Sequence, residues 1–230
     1  SKTMLASGVC SILAVLVYLI CYHLSTERVK MEAPEEKKNV FELFGVLFTN
    51  RAFVGIVVSA LVFLLVQMTL SGMNNYIYPN YFNSAKALSM SGLLGCGVVL
   101  VMSTFVTKLA AKFGKKELAV VGAFIGAGSM FIAYFVHTTS VAVFIALYML
   151  AYAGMSFFNI MCWAMIIDVI DDIEVKKNIR SDGTVYSVYS FARKLGQAAA
   201  NGLTGLLLSI VGYSSATAFD SDVVNGIYDV

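Results

Sequence analysis

The sequence predicts an all-α, polytopic membrane helix bundle of about six transmembrane helices, and three observations carry that reading. The 230-residue chain is 59% hydrophobic and only 13% charged, against about a quarter charged in soluble domains, and its mean hydropathy is +0.79. Six continuous apolar stretches, 4–24, 52–73, 87–107, 117–136, 141–167 and 184–212, are each near the roughly 20 residues that a helix needs to cross a bilayer core. The only two prolines, Pro34 and Pro79, lie between these stretches, so no span has to be broken by a missing donor. Barrel strands are excluded, because the runs are continuous instead of alternating and twice the length that a barrel strand needs.

The first stretch, 4–24, is too long and too weakly flanked for a signal peptide and reads as a true span. The polar, mixed-charge segment "STERVKMEAPEEKKNVFELFGVLFTNR" (25–51) follows, by far the longest connection, and it reads as a linker between two halves of a bundle. Spans three and four are rich in small residues, Gly92, Gly95 and Gly97, then Gly122, Gly126 and Gly128. The Gly122/Gly126 pair has the G-x-x-x-G spacing that lets helix backbones approach closely in lipid, so the glycines are read as packing. Cys10, Cys21, Cys96 and Cys162 are scattered in apolar runs without metal-ligand spacing and are expected to be free thiols.

Lysine and arginine set the orientation. One set of alternate loops holds Arg28, Lys30, Lys37, Lys38, Arg51, Lys108, Lys112, Lys115, Lys116, Lys176, Lys177 and Arg180, and the other only Lys2 and Lys86. The 25–51, 108–116 and 168–183 segments are therefore expected in the cytoplasm, with both ends of the chain outward. An outward start without a cleaved signal suggests a piece of something longer. A net charge of +2, with no basic run on a soluble domain, excludes a nucleic-acid partner.

Polar side chains recur on three spans. On the last, Ser187, Ser190, Lys194, Gln197, Asn201 and Thr204 share one stripe at about 100° per residue, with Arg193 at its edge. Such a stripe belongs against protein or a water-filled cavity, not lipid, although Arg193 and Lys194 lie close enough to the span end to snorkel. Tyr148, Tyr152, Ser156, Asn159 and Trp163 form one face of the fifth span, and Gln67, Ser71, Asn74 and Tyr78 one of the second. Rings interleaved with amides and hydroxyls suit a sugar, whose C–H faces stack while its hydroxyls need donors and acceptors. The candidate substrate residues are Lys194, Gln197, Asn201, Asn159, Tyr152, Trp163, Gln67 and Asn74, expected to converge on one cavity; Trp163 also suits an interfacial belt.

After span five, "DVIDDIEVKKNIRSDG" places Asp168, Asp171, Asp172 and Glu174 at a helix C-terminus, where the macrodipole disfavours negative charge. They need cations, from Lys176, Lys177 and Arg180 or from "KLAAKFGKK" with Lys112, Lys115 and Lys116. No nucleophile and base pair is visible, and His23 and His137 both sit at span ends, so an enzyme is not expected.

The run D-x-x-D-x-x-E-x-x-x-x-x-R-x-D-G from Asp168 to Gly183, followed by "YSVYSFARKLGQA", resembles the loop and eleventh helix of the glycoside-pentoside-hexuronide:cation symporters, a family of the major facilitator superfamily. "ERVK", Asn50–Arg51 and "KLAAKFGKK" resemble it too, whereas Asp172, Lys177 and Asn178 depart from its usual pattern. The resemblance implies that the six spans match helices six to eleven of a twelve-helix fold. Residues 1–24 would then end an N-terminal half that is otherwise missing, 25–51 form the cytoplasmic central loop, and 52–230 a C-terminal bundle without its last helix. It further implies secondary transport of a sugar or glycoside with Na+ or H+ in a bacterial inner membrane, by two bundles rocking around a midplane site. Lys194 would lie near the sugar and cation pathway, and Asp168, Asp171, Glu174 and Arg180, with Lys112 a basic neighbour, in a cytoplasmic gate. The coupling-cation carboxylates would lie outside this chain, and no other cofactor is implied. "YSVYSFARKLGQA" is most similar to the glucuronide-carrier branch, which implies a hexuronide or glucuronide. A self-contained six-helix channel or scaffold that forms homo-oligomers is the alternative.

Overall fold

A computed structural model describes residues 2–26, 45, 47–177, 182–214 and 216–230. The chain divides into two compact units, Ser1–Asn39 and Val40–Val230, with the division inside the 25–51 segment. The first unit holds helix α1, Lys2–Leu24, whose side chains from Met4 onward are exposed. The second contains α2 (Arg51–Tyr76), a π-helical turn (Ile77–Tyr81), α3 (Ala85–Phe113), α4 (Lys115–Val136), α5 (Val141–Lys177), α6 (Asp182–Ile210) and the short α7 (Ser221–Asp229). The described residues contain no strand.

Helices α1 to α5 are long and apolar enough to cross a membrane by length and composition. The sixth expected span, α6, has 29 residues and the necessary length, but Arg193, Lys194, Gln197 and Asn201 leave it less apolar than the others. Helix α5 is longer than expected. At 1.5 Å per residue its 37 residues measure about 55 Å, well beyond a hydrocarbon core of about 30 Å, so the acidic stretch from Asp168 continues the helix instead of opening a loop.

Local chemistry explains the helix ends. The Asn50 side chain accepts hydrogen bonds from the amides of Ala52 (2.9 Å) and Phe53 (3.2 Å) and starts α2. Ser84 does the same for α3 through the Ala87 amide. Between α3 and α4 a single residue makes the break, Gly114 at φ +95°, a conformation that side chains other than glycine rarely adopt.

Glycine seams join the helices. Helix α4 packs on α5 where Gly122 meets Gly154; a Cβ on Gly154 would stand 2.8 Å from the Gly126 amide nitrogen. The G-x-x-x-G pair of the fourth span is therefore a packing device. Helix α6 packs on α2 with Gly196 against the Leu61 carbonyl, where an added Cβ would lie 2.7 Å from the oxygen. Gly92, Gly97 and Gly128 have open space instead, so only part of the small-residue signal is spent on packing.

Two apolar clusters mark the ends of the bundle. Phe53, Ile166, Ile170, Val185 and Tyr189 form one near Asn50, and Tyr78, Phe144, Ile227 and Tyr228 form the other. Helix α7 escaped the sequence reading because its nine residues carry only a short apolar signal in Ile227 and Tyr228. Those two side chains are buried, the Tyr228 hydroxyl donates to the Ala133 carbonyl (2.8 Å), and His137 Nε2 pairs with Asp229 Oδ1 at 2.8 Å. Burial above all raises the Tyr228 phenol pKa, so it remains a neutral donor.

The seams predict a clear contrast. Gly154→Leu should lower stability by about 1–3 kcal/mol, the usual cost of overpacking, whereas Gly128→Leu should change it by less than about 0.5 kcal/mol. Thermal unfolding in detergent checks both.

Candidate functional site

Helix α6 has three faces. Val185, Tyr189, Ala192, Gly196 and Ala200 are buried. About a third of a turn away, Ser190, Lys194 and Asn201 are exposed and Gln197 half-buried, while Phe191, Leu195, Leu206 and Ile210 form an exposed apolar face. Because the small residues take the contact with α2, the polar stripe is not consumed by packing within the bundle. The Lys194 ammonium donates to Gln197 Oε1 at 3.1 Å, linking neighbours along the stripe.

Arg193, at the edge of this stripe, lies against α5. Its guanidinium carbon is 5.2 Å from the Trp163 ring centre and 5.6 Å from that of Tyr189, and Nη1 donates to the Tyr189 hydroxyl at 3.1 Å. That hydroxyl in turn donates to Cys162 Sγ at 3.1 Å. Trp163 meets Tyr189 edge-on and stacks with Tyr186. Cation–π contacts of this kind are worth about 0.5–2 kcal/mol, and they hold the guanidinium without neutralising it.

A separate pocket opens between α2, α3 and α5. It measures about 170 Å³ and is lined by Ser71, Asn74, Ser91, Tyr148 and Tyr152 among others. Drug-sized sites run to roughly 300–1,000 Å³, so this one takes an edge of a ligand. The Asn74 Nδ2 and Tyr78 hydroxyl atoms nearby are buried and have no hydrogen-bond partner. Tyr148 stands beside Asn74 and Ser91 beside Tyr78, and the Ser91 hydroxyl donates to the Leu88 carbonyl (2.8 Å). A larger cavity of about 980 Å³ lies between α2, α4 and α5, but residues such as Val62, Phe63, Val66 and Met130 make it almost wholly apolar, with little to orient a hydroxyl.

At the charged end, Lys115 at the start of α4 grips both carboxylate oxygens of Asp168 on α5, at 2.6 and 2.7 Å. Asp172 accepts from Asn50 Nδ2 (3.0 Å) and pairs with Lys176 (2.8 Å). Lys115 is one of the three lysines that the sequence offered as partners; the Lys112 ammonium lies over the Phe113 ring at 5.3 Å. Asp171 and Glu174 stand on the same helix and are engaged, and Arg180 lies outside the described residues.

Of the eight substrate candidates, the structure brings Asn74 and Tyr152 into one pocket. Trp163 joins Arg193 in the second cluster, with Lys194, Gln197 and Asn201 on the adjacent stripe. Gln67 and Asn159 are half-buried and line neither the polar pocket nor the guanidinium cluster. Sequence reasoning put Tyr148 on the right helix face but did not choose it, and it left Arg193 at the edge of its stripe. The signal for Arg193 was there, a cation one helix away from the chain's single tryptophan.

A bundle with glycine seams, an apolar outside and polar faces set with amides, phenols and cations has the make-up of a polytopic membrane protein. The chain belongs to the MFS/sugar transport protein family, whose model matches residues 1–228. Its relatives include an uncharacterized symporter of Bacillus subtilis (strain 168), 30% identical over 90% of this chain and 45% of that protein. A putative sulfoquinovose importer of Escherichia coli (strain K12) is 27% identical over 91% of this chain and 45% of its own length. A glucuronide carrier protein homolog of the same organism is 24% identical over 95% and 48%. The chain spans about half the length of the curated relatives it matches. The family and these names describe transporters, not enzymes, in keeping with the resemblance to a major-facilitator sugar symporter.

The unpartnered amide makes a sharp prediction. A buried donor without a partner costs about 1–3 kcal/mol, so Asn74→Leu, of nearly the same volume, should leave the ligand-free protein as stable or up to about 2 kcal/mol more stable by thermal unfolding.

Proposed function

We propose that this chain forms much of the C-terminal part of a secondary active transporter that moves a sugar or glycoside together with Na+ or H+ by alternating access. The observation that carries the reading is the polar pocket between α2, α3 and α5, which Asn74 lines with a buried, unpaired Nδ2; the Tyr78 hydroxyl, also buried and unpaired, lies beside Ser91 of the pocket wall. A protein keeps such groups desolvated when a ligand or ordered water completes them. Tyr148 and Tyr152, 6.0 Å apart between ring centres, offer faces for a sugar ring. The exposed stripe of Lys194, Gln197 and Asn201 supplies a second polar wall, available to a pathway shared with the rest of the transporter.

The basic end is the cytoplasmic one in this reading, by the lysine and arginine count. There Asp168 and Lys115 tie α5 to α4, and closing and opening of this end exposes the central site to one side at a time. The pair is exposed, so on its own it contributes at most about 1 kcal/mol, weak enough to break in each cycle. Asp171, Glu174 and Arg180 belong to the same gate. The coupling cation has its main site on helices of the N-terminal half.

The test is uptake by the gene product that carries this chain, reconstituted into liposomes. A Na+ or H+ gradient should drive glycoside accumulation above the equilibrium level, and Lys194→Ala should reduce it at least tenfold. Downhill equilibration alone would indicate a channel, and full accumulation by the variant would remove Lys194 from the pathway.

A further inference from the structure

We propose that Arg193 is the specificity residue for an anionic group on the transported sugar, a carboxylate or a sulfonate, with Trp163 and Tyr186 forming the apolar wall beside it. The inference rests on the sugar-transport reading above.

A guanidinium carries five N–H donors and stays charged at any accessible pH. One donor of Arg193 goes to the Tyr189 hydroxyl, and no ion pair joins Arg193 to a carboxylate among the described residues. The carboxylates whose ion pairs are defined sit with Lys115, Lys176 and His137 instead.

The aromatic contacts then decide what the free donors can do. The rings of Trp163 and Tyr189 lie against the guanidinium and the Tyr189 hydroxyl takes one N–H of Nη1, which leaves the other N–H groups of the fork unclaimed. That geometry suits an oxyanion with two or more acceptor oxygens, which arginine binds in bidentate fashion. A lysine would offer a point charge in place of that planar fork. Tyr189 is itself buried and anchored to Cys162, so the fork is set by the bundle core and cannot swing away freely.

Arg193 is half-buried, Trp163 is 46% exposed and Tyr186 is half-buried, so a sugar on the pathway, at a position separate from the pocket of Asn74 and Tyr152, can reach the fork and lay a C–H face on the indole. Lys194 and Gln197, next along the stripe, would meet the hydroxyls of the same sugar. Two relatives are named for such solutes, a sulfoquinovose importer and a glucuronide carrier homolog. Their shared chemistry is a sugar ring bearing one oxyanion.

The experiment measures binding to the detergent-solubilised gene product by isothermal calorimetry. The probes are the methyl glycosides of glucuronic acid, of galacturonic acid and of 6-sulfo-glucose, each beside its neutral parent. An anionic probe should bind at least tenfold more tightly than its parent, and the carboxylate and sulfonate arms identify which oxyanion is preferred. Arg193→Gln should erase that preference while moving neutral binding less than threefold, and Arg193→Lys should restore only part of it. Equal loss of neutral and anionic binding in both variants would reduce Arg193 to a structural tie and overturn the proposal. So would an unchanged anion preference in Arg193→Gln, or tighter binding of the neutral parents by the unmodified protein. Binding of none of the probes would instead overturn the sugar-transport reading on which the inference stands.

Discussion

The contact of Gly196 with the Leu61 carbonyl fixes the rotation of α6, and the rest of the site depends on that rotation. A helix in hydrocarbon satisfies its own backbone, so its freedom lies in which side it turns to its neighbours. Here the side with Ala192, Gly196 and Ala200 allows the closest approach, and α2 takes it. Every other side chain on α6 then has its direction assigned. Arg193 comes against α5, Lys194, Gln197 and Asn201 form an exposed polar strip, and Phe191, Leu195, Leu206 and Ile210 an exposed apolar one. A larger residue at 196 would push α6 outward or turn it, and the cations would lose their present surroundings.

The same logic runs through the other seam. Gly122 and Gly154 bring α4 and α5 into backbone contact, which places α5 so that one face serves the pocket with Asn74 and Tyr152 and, further along, Trp163 meets Arg193. Helix α5 thus connects the two polar regions and the charged end, since it also carries Asp168 and Asp172. In the proposed transport cycle a change at Asp168 and Lys115 would be felt along one continuous helix. This is the kind of two-state element through which a gate and a central site can be coupled.

Much of the fold was legible in the sequence because hydrophobic length is a strong signal. The six expected spans all appear as long helices, since continuous apolar runs without proline admit little else. What was hidden had weaker signals. Helix α7 is short and mostly polar, and only docking of Ile227 and Tyr228 reveals why it forms. The continuation of α5 to Lys177 was obscured by the charges that begin at Asp168, because hydropathy marks the membrane and not the helix end. For the site, helical periodicity put Tyr148 and Tyr152 on one face of α5 and Asn74 on a face of α2, and these line a common pocket. It could not say which faces meet, because that depends on rotations set by single glycines. The three polar faces were expected to share one cavity; the structure gathers Asn74 with Tyr152, and Trp163 with Arg193, in separate places.

In the proposed transporter the stripe of α6 meets water while its apolar face meets lipid. Cysteine scanning tests it most directly: single cysteines at residues 190 to 206, in the gene product freed of Cys10, Cys21, Cys96 and Cys162, are labelled in membranes with a charged maleimide. Labelling is expected at 190, 194, 197 and 201, near a 3.6-residue period, and protection at 191, 195 and 206. Labelling of the apolar positions with protection of the polar ones, or no period at all, would contradict it.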